Sequence, residues 1–179
     1  YVSEGVELRK AGITVPILVL HPQLGNLELV IKHSLEPSLY SLKMLEEFKK
    51  VAVRCKASNY PVHIKFNTGL NRLGFKPEDI SLVLNTLINA TSLKVKSVFS
   101  HLAASEDLNE KKFTGTQIER YKSLSEKFIN SFDYTIIRHL CNTSGVLNYP
   151  EAHLDMVRCG IGLYGYGNSK KESENLRPV

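Results

Sequence analysis

A chain of 179 residues, 42% hydrophobic and 23% charged, is long enough for one domain with a substantial core and has the composition of an ordinary globular protein. No apolar run approaches a membrane span, and the opening YVSEGVELRK lacks the charged-then-apolar plan of a secretory signal. The net charge of +5 is no nucleic-acid footprint: Lys49-Lys50, Lys111-Lys112 and Lys170-Lys171 stand among Glu and Asp, with no aromatic residues interleaved along a basic stripe.

Short apolar runs alternate with longer amphipathic ones. Val15-Pro16-Ile17-Leu18-Val19-Leu20 is continuously apolar, the pattern of a parallel strand covered on both faces. Ser38–Leu42 is the next strand candidate. Residues 43–57 follow as a helix, with Leu42, Leu45, Phe48 and Val51-Ala52 near helical spacing. Val62–Phe66 is a third strand. Residues 77–89 form a second helix opening on Pro77-Glu78-Asp79, where Pro needs no partner and acids complement the dipole. Val95–Ser100 is a fourth strand, and residues 109–130 a third helix with Phe113, Ile118, Tyr121, Leu124 and Phe128 along one stripe. Thr135–Leu140 and Gly160–Tyr164 are the fifth and sixth strands, and the polar stretch from Gly167 to Val179 reads as a linker or exposed tail. Strand-helix alternation with long crossovers predicts a parallel α/β sheet. A TIM-type (β/α)8 barrel takes about 250 residues, so the chain supplies most of one; a doubly wound sheet is the alternative that periodicity leaves open. Cys55, Cys141 and Cys159 are far apart and odd in number, which suits a reducing cytoplasm better than a disulfide framework or a zinc site.

Parallel α/β folds carry their sites at the C-terminal ends of strands, and four such ends here hold unusual polar residues. In His63-Ile64-Lys65-Phe66-Asn67-Thr68-Gly69-Leu70-Asn71-Arg72, alternation sets His63, Lys65 and Asn67 on one side of the strand. A lysine on the inner side needs a partner, and Arg72 offers a planar donor fork; taken singly, Lys65 snorkelling and Arg72 at the surface is the plainer reading. Ser100-His101-Leu102-Ala103 ends the next strand, and a lone histidine there is ordinarily structural. His139-Leu140-Cys141-Asn142-Thr143-Ser144-Gly145 has the hydroxyls, amide and glycine of a phosphate loop, which are also those of a common helix cap. Finally, Arg158-Cys159-Gly160-Ile161-Gly162-Leu163-Tyr164-Gly165 permits close backbone approach to a ligand, though its glycines also suit a crowded barrel strand; it is not a dinucleotide fingerprint.

In this order, K-x-x-T-G-x-N-R-L-G, S-H-x-A, H-x-x-N-x-S-G and V-R-x-G-I-x-L-Y-G resemble the alanine racemase family, as does the opening Glu4-Gly5-Val6-Glu7-Leu8-Arg9 with Gly12-Ile13 and Pro16–Leu20. The resemblance spans nearly the whole chain. It implies an incomplete barrel, its first strand or strands missing, over residues 1–167, and a linker over 168–179 towards a smaller β-rich domain. It also implies pyridoxal phosphate as coenzyme, no metal, L- and D-alanine as substrates, and a homodimer in a bacterial cytoplasm making D-alanine for peptidoglycan. The family's catalytic lysine lies in a motif of the type K-A-N-A-Y-G-H-G, which does not occur here. Its catalytic tyrosine lies in the second domain. The chain, which lacks an initiator Met, is therefore expected to be an inactive fragment.

Residue by residue, Arg72 resembles the arginine that contacts the coenzyme phenolate oxygen and the substrate carboxylate side. Lys65 resembles a lysine that is carbamylated in many members. His101 matches the histidine beside the pyridine ring, and Arg158 the arginine facing its nitrogen. Asn142, Thr143, Gly160 and Ile161 match the phosphate contacts, with Thr143 where serine is usual. A broad-specificity amino-acid racemase and a noncatalytic pyridoxal-phosphate-binding barrel module are the alternatives; fusion to a cell-wall ligase, as some members have, is outside what this sequence addresses.

Overall fold

The computed structural model describes residues 1–174 and 176–179; Asn175, inside the predicted linker, and the side chain of Lys171 lie outside the described residues. Five strands alternate with helices: α1 (Val2–Lys10), β1 (Leu18–Val19), α2 (Leu27–Lys32), β2 (Glu36–Leu39), α3 (Leu42–Arg54), β3 (Tyr60–Lys65), α4 (Ile80–Ile88), β4 (Leu93–Phe99), α5 (Lys111–Ile129), β5 (Ile137–His139), α6 (Thr143–Asn148) and α7 (Lys170–Ser173). The sheet order is β1-β2-β3-β4-β5. β1 pairs with β2 and β2 with β3 in parallel, Leu18 opposite Glu36 and Ser38 opposite His63. Each strand thus lies beside its neighbour in sequence, with a helical crossover between. A doubly wound sheet reverses its strand order part-way; this one does not. The fold is the α/β barrel, incomplete at five described strands against eight.

The chain divides into two compact units, Tyr1–Lys65 with Leu73–Ser97, and Phe66–Arg72 with Val98–Val179. In the first, α3 forms because Ser41 caps it, accepting from Met44 N at 3.2 Å, and it buries Met44, Leu45, Phe48, Val51 and Ala52. Each such large side chain contributes about 1.5–3 kcal/mol. Val62 and Ile64 on one side of β3, and His63 and Lys65 on the other, are all buried. Glu36, His63 and Ser97 form a buried chain across β2, β3 and β4: Ser97 Oγ lies 2.6 Å from His63 Nδ1, and Glu36 Oε2 2.7 Å from Nε2.

In the second unit, α5 buries Ile118, Tyr121 and Phe128 as its stripe predicts, but also Thr114, Gln117 and Ser125, while Phe113 is exposed. Three strand expectations need correction. Ser38–Leu42 shares only Ser38 and Leu39 with β2, because Ser41 caps α3 and Leu42 opens it. The run Val15–Leu20 yields only Leu18–Val19, at the sheet edge, with Val15 and Leu20 exposed. Gly160–Tyr164 is no strand: Ile161–Tyr164 is a 3-10 turn closed by local bonds such as Leu163 N to Gly160 O at 3.0 Å, and Leu163 is 72% exposed. The strand-like rung lies earlier, where Asp155 N donates to Arg138 O, His139 pairs with Met156, and Arg158 N donates to Cys141 O.

Candidate functional site

That rung delivers Arg158 to the ends of β4 and β5. Its Nη1 donates to His139 Nδ1 at 2.5 Å, and Nη2 to the carbonyls of Ser100 at 2.7 Å and Leu140 at 3.0 Å. His101 Nδ1 lies 3.4 Å from the same Nη2. The guanidinium stands 5.1 Å from the Phe99 ring, which stacks on His139 with centroids 4.8 Å apart. No carboxylate pairs with Arg158 among the described residues. Burial lowers its pKa to about 10, so it stays a cation at neutral pH. Of its five donor hydrogens, those on Nε and one on Nη1 have no protein acceptor among the described residues.

The support beneath is rigid. His139 N donates to Tyr121 Oη at 3.1 Å, and Tyr121 donates to Val98 O at 2.7 Å. Both tie α5 to the strand ends, and burial pushes the phenol well above its usual range. Ser100 Oγ donates to Phe66 O at 2.9 Å and lies 2.8 Å from Thr68 Oγ1. Gln117, fully buried, accepts from Ala103 N at 2.9 Å and reaches His101 O at 3.4 Å, which fixes the Ser-His-x-Ala loop.

Beside Arg158, Thr143 Oγ1 accepts from Gly160 N at 3.0 Å and Gly162 N at 3.2 Å. Glycine is required at 162, because a Cβ there would lie 2.8 Å from Thr143 Cγ2. The Thr143 hydroxyl keeps its own hydrogen to give. Gly160 N is already committed, so of the predicted pair Ile161 is the one whose N–H has no protein acceptor among the described residues. Asn142 Oδ1 accepts from Gly145 N and from Ser105 Oγ, both at 2.8 Å, which leaves its NH2 as the outward donor. Three spare donors therefore face one neighbourhood, together with a cation: a site for an anion and an aromatic acceptor.

The structure thus brings together His101, Asn142, Thr143, Arg158, Gly160 and Ile161. Arg72 lies in the same unit, exposed, and hydrogen-bonds to none of them. Its loop is shaped by Asn67, whose Oδ1 accepts from Gly69 N and Asn71 N, both at 3.1 Å. Lys65 ends β3, buried, in the other unit. Sequence reasoning left His139, Gln117 and the carbonyl acceptors of Arg158 off the site; only the H-x-x-N-x-S-G spacing hinted at His139. A cleft of about 420 Å³ by Tyr134, Arg138 and Asp155, at the other end of β5, contains none of these residues.

The alanine racemase N-terminal domain family model matches residues 1–168. The chain is similar to alanine racemase 1 of Oceanobacillus iheyensis, 32% identical over 100% of this chain and 48% of that protein. It is similar to the alanine racemase of Thermodesulfovibrio yellowstonii, 36% identical over 92% of this chain and 43% of that one. Among solved structures, alanine racemase of Clostridium difficile superposes with a TM-score of 0.90 at 30% identity, over 99% of this chain and 47% of the other. The chain spans about half the length of the relatives it matches.

Proposed function

The chain belongs to the alanine racemase family through its N-terminal domain, and from that premise we propose that the protein carrying it interconverts L- and D-alanine with pyridoxal phosphate. The observation that carries the reading is Arg158: a half-buried cation with spare donor hydrogens, beside a hydroxyl and amides that also have hydrogens to give. The residues fit the coenzyme. Thr143, Asn142 and the Ile161 amide would hold the phosphate, Arg158 would donate to the ring nitrogen, and His101 would lie by the ring.

When bound, pyridoxal phosphate supplies a conjugated ring that spreads the charge left on the α-carbon once its proton is removed. Arg158 disfavours a second positive charge on that nitrogen. His139 accepts through Nδ1, which places its proton on Nε2 and fixes the orientation of the arginine. Arg72 is assigned to the phenolate oxygen and substrate carboxylate, and Lys65 to carbamylation. Proton transfer on the two faces of the α-carbon needs two bases, which the family resemblance assigns to a lysine and a partner-subunit tyrosine outside the motifs present here. We further assign residues 168–179 to the linker, and to the protein a cytoplasmic homodimer that supplies D-alanine for peptidoglycan.

The test is stereochemical. The full natural chain, loaded with coenzyme and given pure L-alanine, is expected to yield an equal mixture of enantiomers, followed by circular dichroism. Faster turnover of other amino acids would favour a broad-specificity racemase. Tight coenzyme binding with no racemisation of any amino acid would leave the noncatalytic module.

A further inference from the structure

Glu172 lies in the polar stretch that the sequence assigns to solvent, yet it is only 5% exposed. Its carboxylate accepts from three donors: Ser144 Oγ at 3.2 Å, the backbone N of Asn168 at 2.7 Å and Asn148 Nδ2 at 2.7 Å. The Ser144 hydroxyl accepts in turn from Asn168 Nδ2 at 2.6 Å. Ser169 caps α7 by accepting from Glu172 N at 3.1 Å. Glycine at 167 permits this approach, since a Cβ there would lie 2.4 Å from that of Glu172. A carboxylate withdrawn this far from water is held because every group it meets is a donor.

The other side of the network runs to the anion-binding residues. Asn148 Nδ2 donates also to Ser105 O at 3.0 Å, and Ser105 Oγ donates to Asn142 Oδ1. Glu172 therefore touches the residue after Thr143 directly and reaches Asn142 through Asn148 and Ser105. Ser105 consumes one of the acceptor positions of Asn142 and so decides which end of that amide faces outward. Glu172 and Ser105 are both buried, so both act through neighbours.

We propose that Glu172 is a positioning residue for phosphate binding: through Ser144, and through Asn148 and Ser105, it holds Thr143 and Asn142 in the orientation that receives a phosphate monoester. This rests on the coenzyme reading given above. A receptor ordered beforehand loses less conformational freedom when the ligand arrives, and the benefit falls on the phosphate end alone.

The experiment uses the full natural chain as apoprotein, with pyridoxal phosphate and pyridoxal, which differ by the phosphate group, as the two probes. Dissociation constants are measured by spectrophotometric titration for the native protein and for Glu172→Ala, Glu172→Gln and Ser105→Ala. Each variant is expected to bind pyridoxal phosphate about tenfold more weakly, the scale on which lost orienting partners weaken a held ligand, with pyridoxal changed less than twofold. The phosphorus NMR signal of the bound coenzyme is expected to move as well. Should Glu172→Ala unfold, Glu172→Gln and Ser105→Ala, which keep the volume of the side chain or lose one hydroxyl, decide the matter. Variants that weaken both probes in parallel, or that keep the native preference for pyridoxal phosphate, overturn the proposal while the coenzyme reading stands. A native protein with no preference for pyridoxal phosphate over pyridoxal overturns both.

Discussion

At Arg158 a permanent charge is half withdrawn from water and meets acceptors alone, an imidazole nitrogen and two carbonyls, with an aromatic face behind. Arg158→Glu turns that arrangement against itself: a carboxylate would face the carbonyls of Ser100 and Leu140 with no donor to meet it, and is expected to lower stability. In the coenzyme-loaded protein the new acid would protonate the ring nitrogen. Pyridoxamine phosphate formed per alanine racemised is then expected to rise. An unchanged ratio would show that Arg158 does not face the nitrogen. Lys65 carries the second prediction at this scale. Buried at the end of β3 and matching a lysine that is carbamylated in many relatives of this family, it is expected to be carbamylated in the coenzyme-bound protein, visible as added electron density beyond Nζ. Lys65→Ala should impair turnover, with partial rescue by acetate; an unmodified Lys65 in the active, coenzyme-bound protein defeats the assignment. The side chains at strand ends were legible because parallel α/β folds put polar residues there for a reason. The carbonyl acceptors of Arg158 have no side-chain signature, and Gln117 was missed because a polar residue on a helix reads as solvent-facing.

Between elements, polar side chains do work that hydrophobic patterning does not register. Glu36, His63 and Ser97 stitch β2, β3 and β4 together inside the first unit. The hydrogen bond from His63 holds the Glu36 carboxyl below the usual carboxylate range despite the opposing effect of burial, and the charges of His63, Lys96 and Arg9 add to it. A folded-state pKa below the unfolded value contributes stability above the unfolded pKa and loses it as pH falls through the folded one. Glu36→Gln is therefore expected to cost about 3 kcal/mol at neutral pH, as breaking a buried pair does. In urea unfolding, the gap from the native protein should narrow below pH 4.5. A gap of constant size from neutral to acid pH would remove Glu36 from this role. Strand centres and the three long helices were readable because their periodicity runs over many residues. α2, at six residues, is too short to show a period, and α1 buries little besides Val2 and Gly5. Gly160–Tyr164 misled because an apolar run records hydrophobicity, not the presence of a pairing strand.

For the molecule as a whole, barrel and doubly wound sheet share one alternation of strands and helices, so periodicity left them level and the order β1-β2-β3-β4-β5 separates them. Motif order, by contrast, carried the family directly, since four strand ends in sequence each hold a distinctive polar set. The same comparison bears on activity. Racemisation needs a proton acceptor on each face of the α-carbon, and the lysine motif that would supply one does not occur in these 179 residues. Lys65, the buried lysine among the described residues, closes β3 next to the T-G-x-N-R loop and lies outside any such motif. The isolated 179-residue chain is therefore expected to bind pyridoxal phosphate weakly, through Thr143, Asn142 and Arg158, and to racemise no alanine. Borohydride reduction after addition of the coenzyme, followed by peptide mapping, should find only scattered, substoichiometric labelling of exposed lysines. One lysine labelled in stoichiometric amount, with racemase activity to match, would mean that the chain carries its own catalytic base and that the family's division of labour does not hold here.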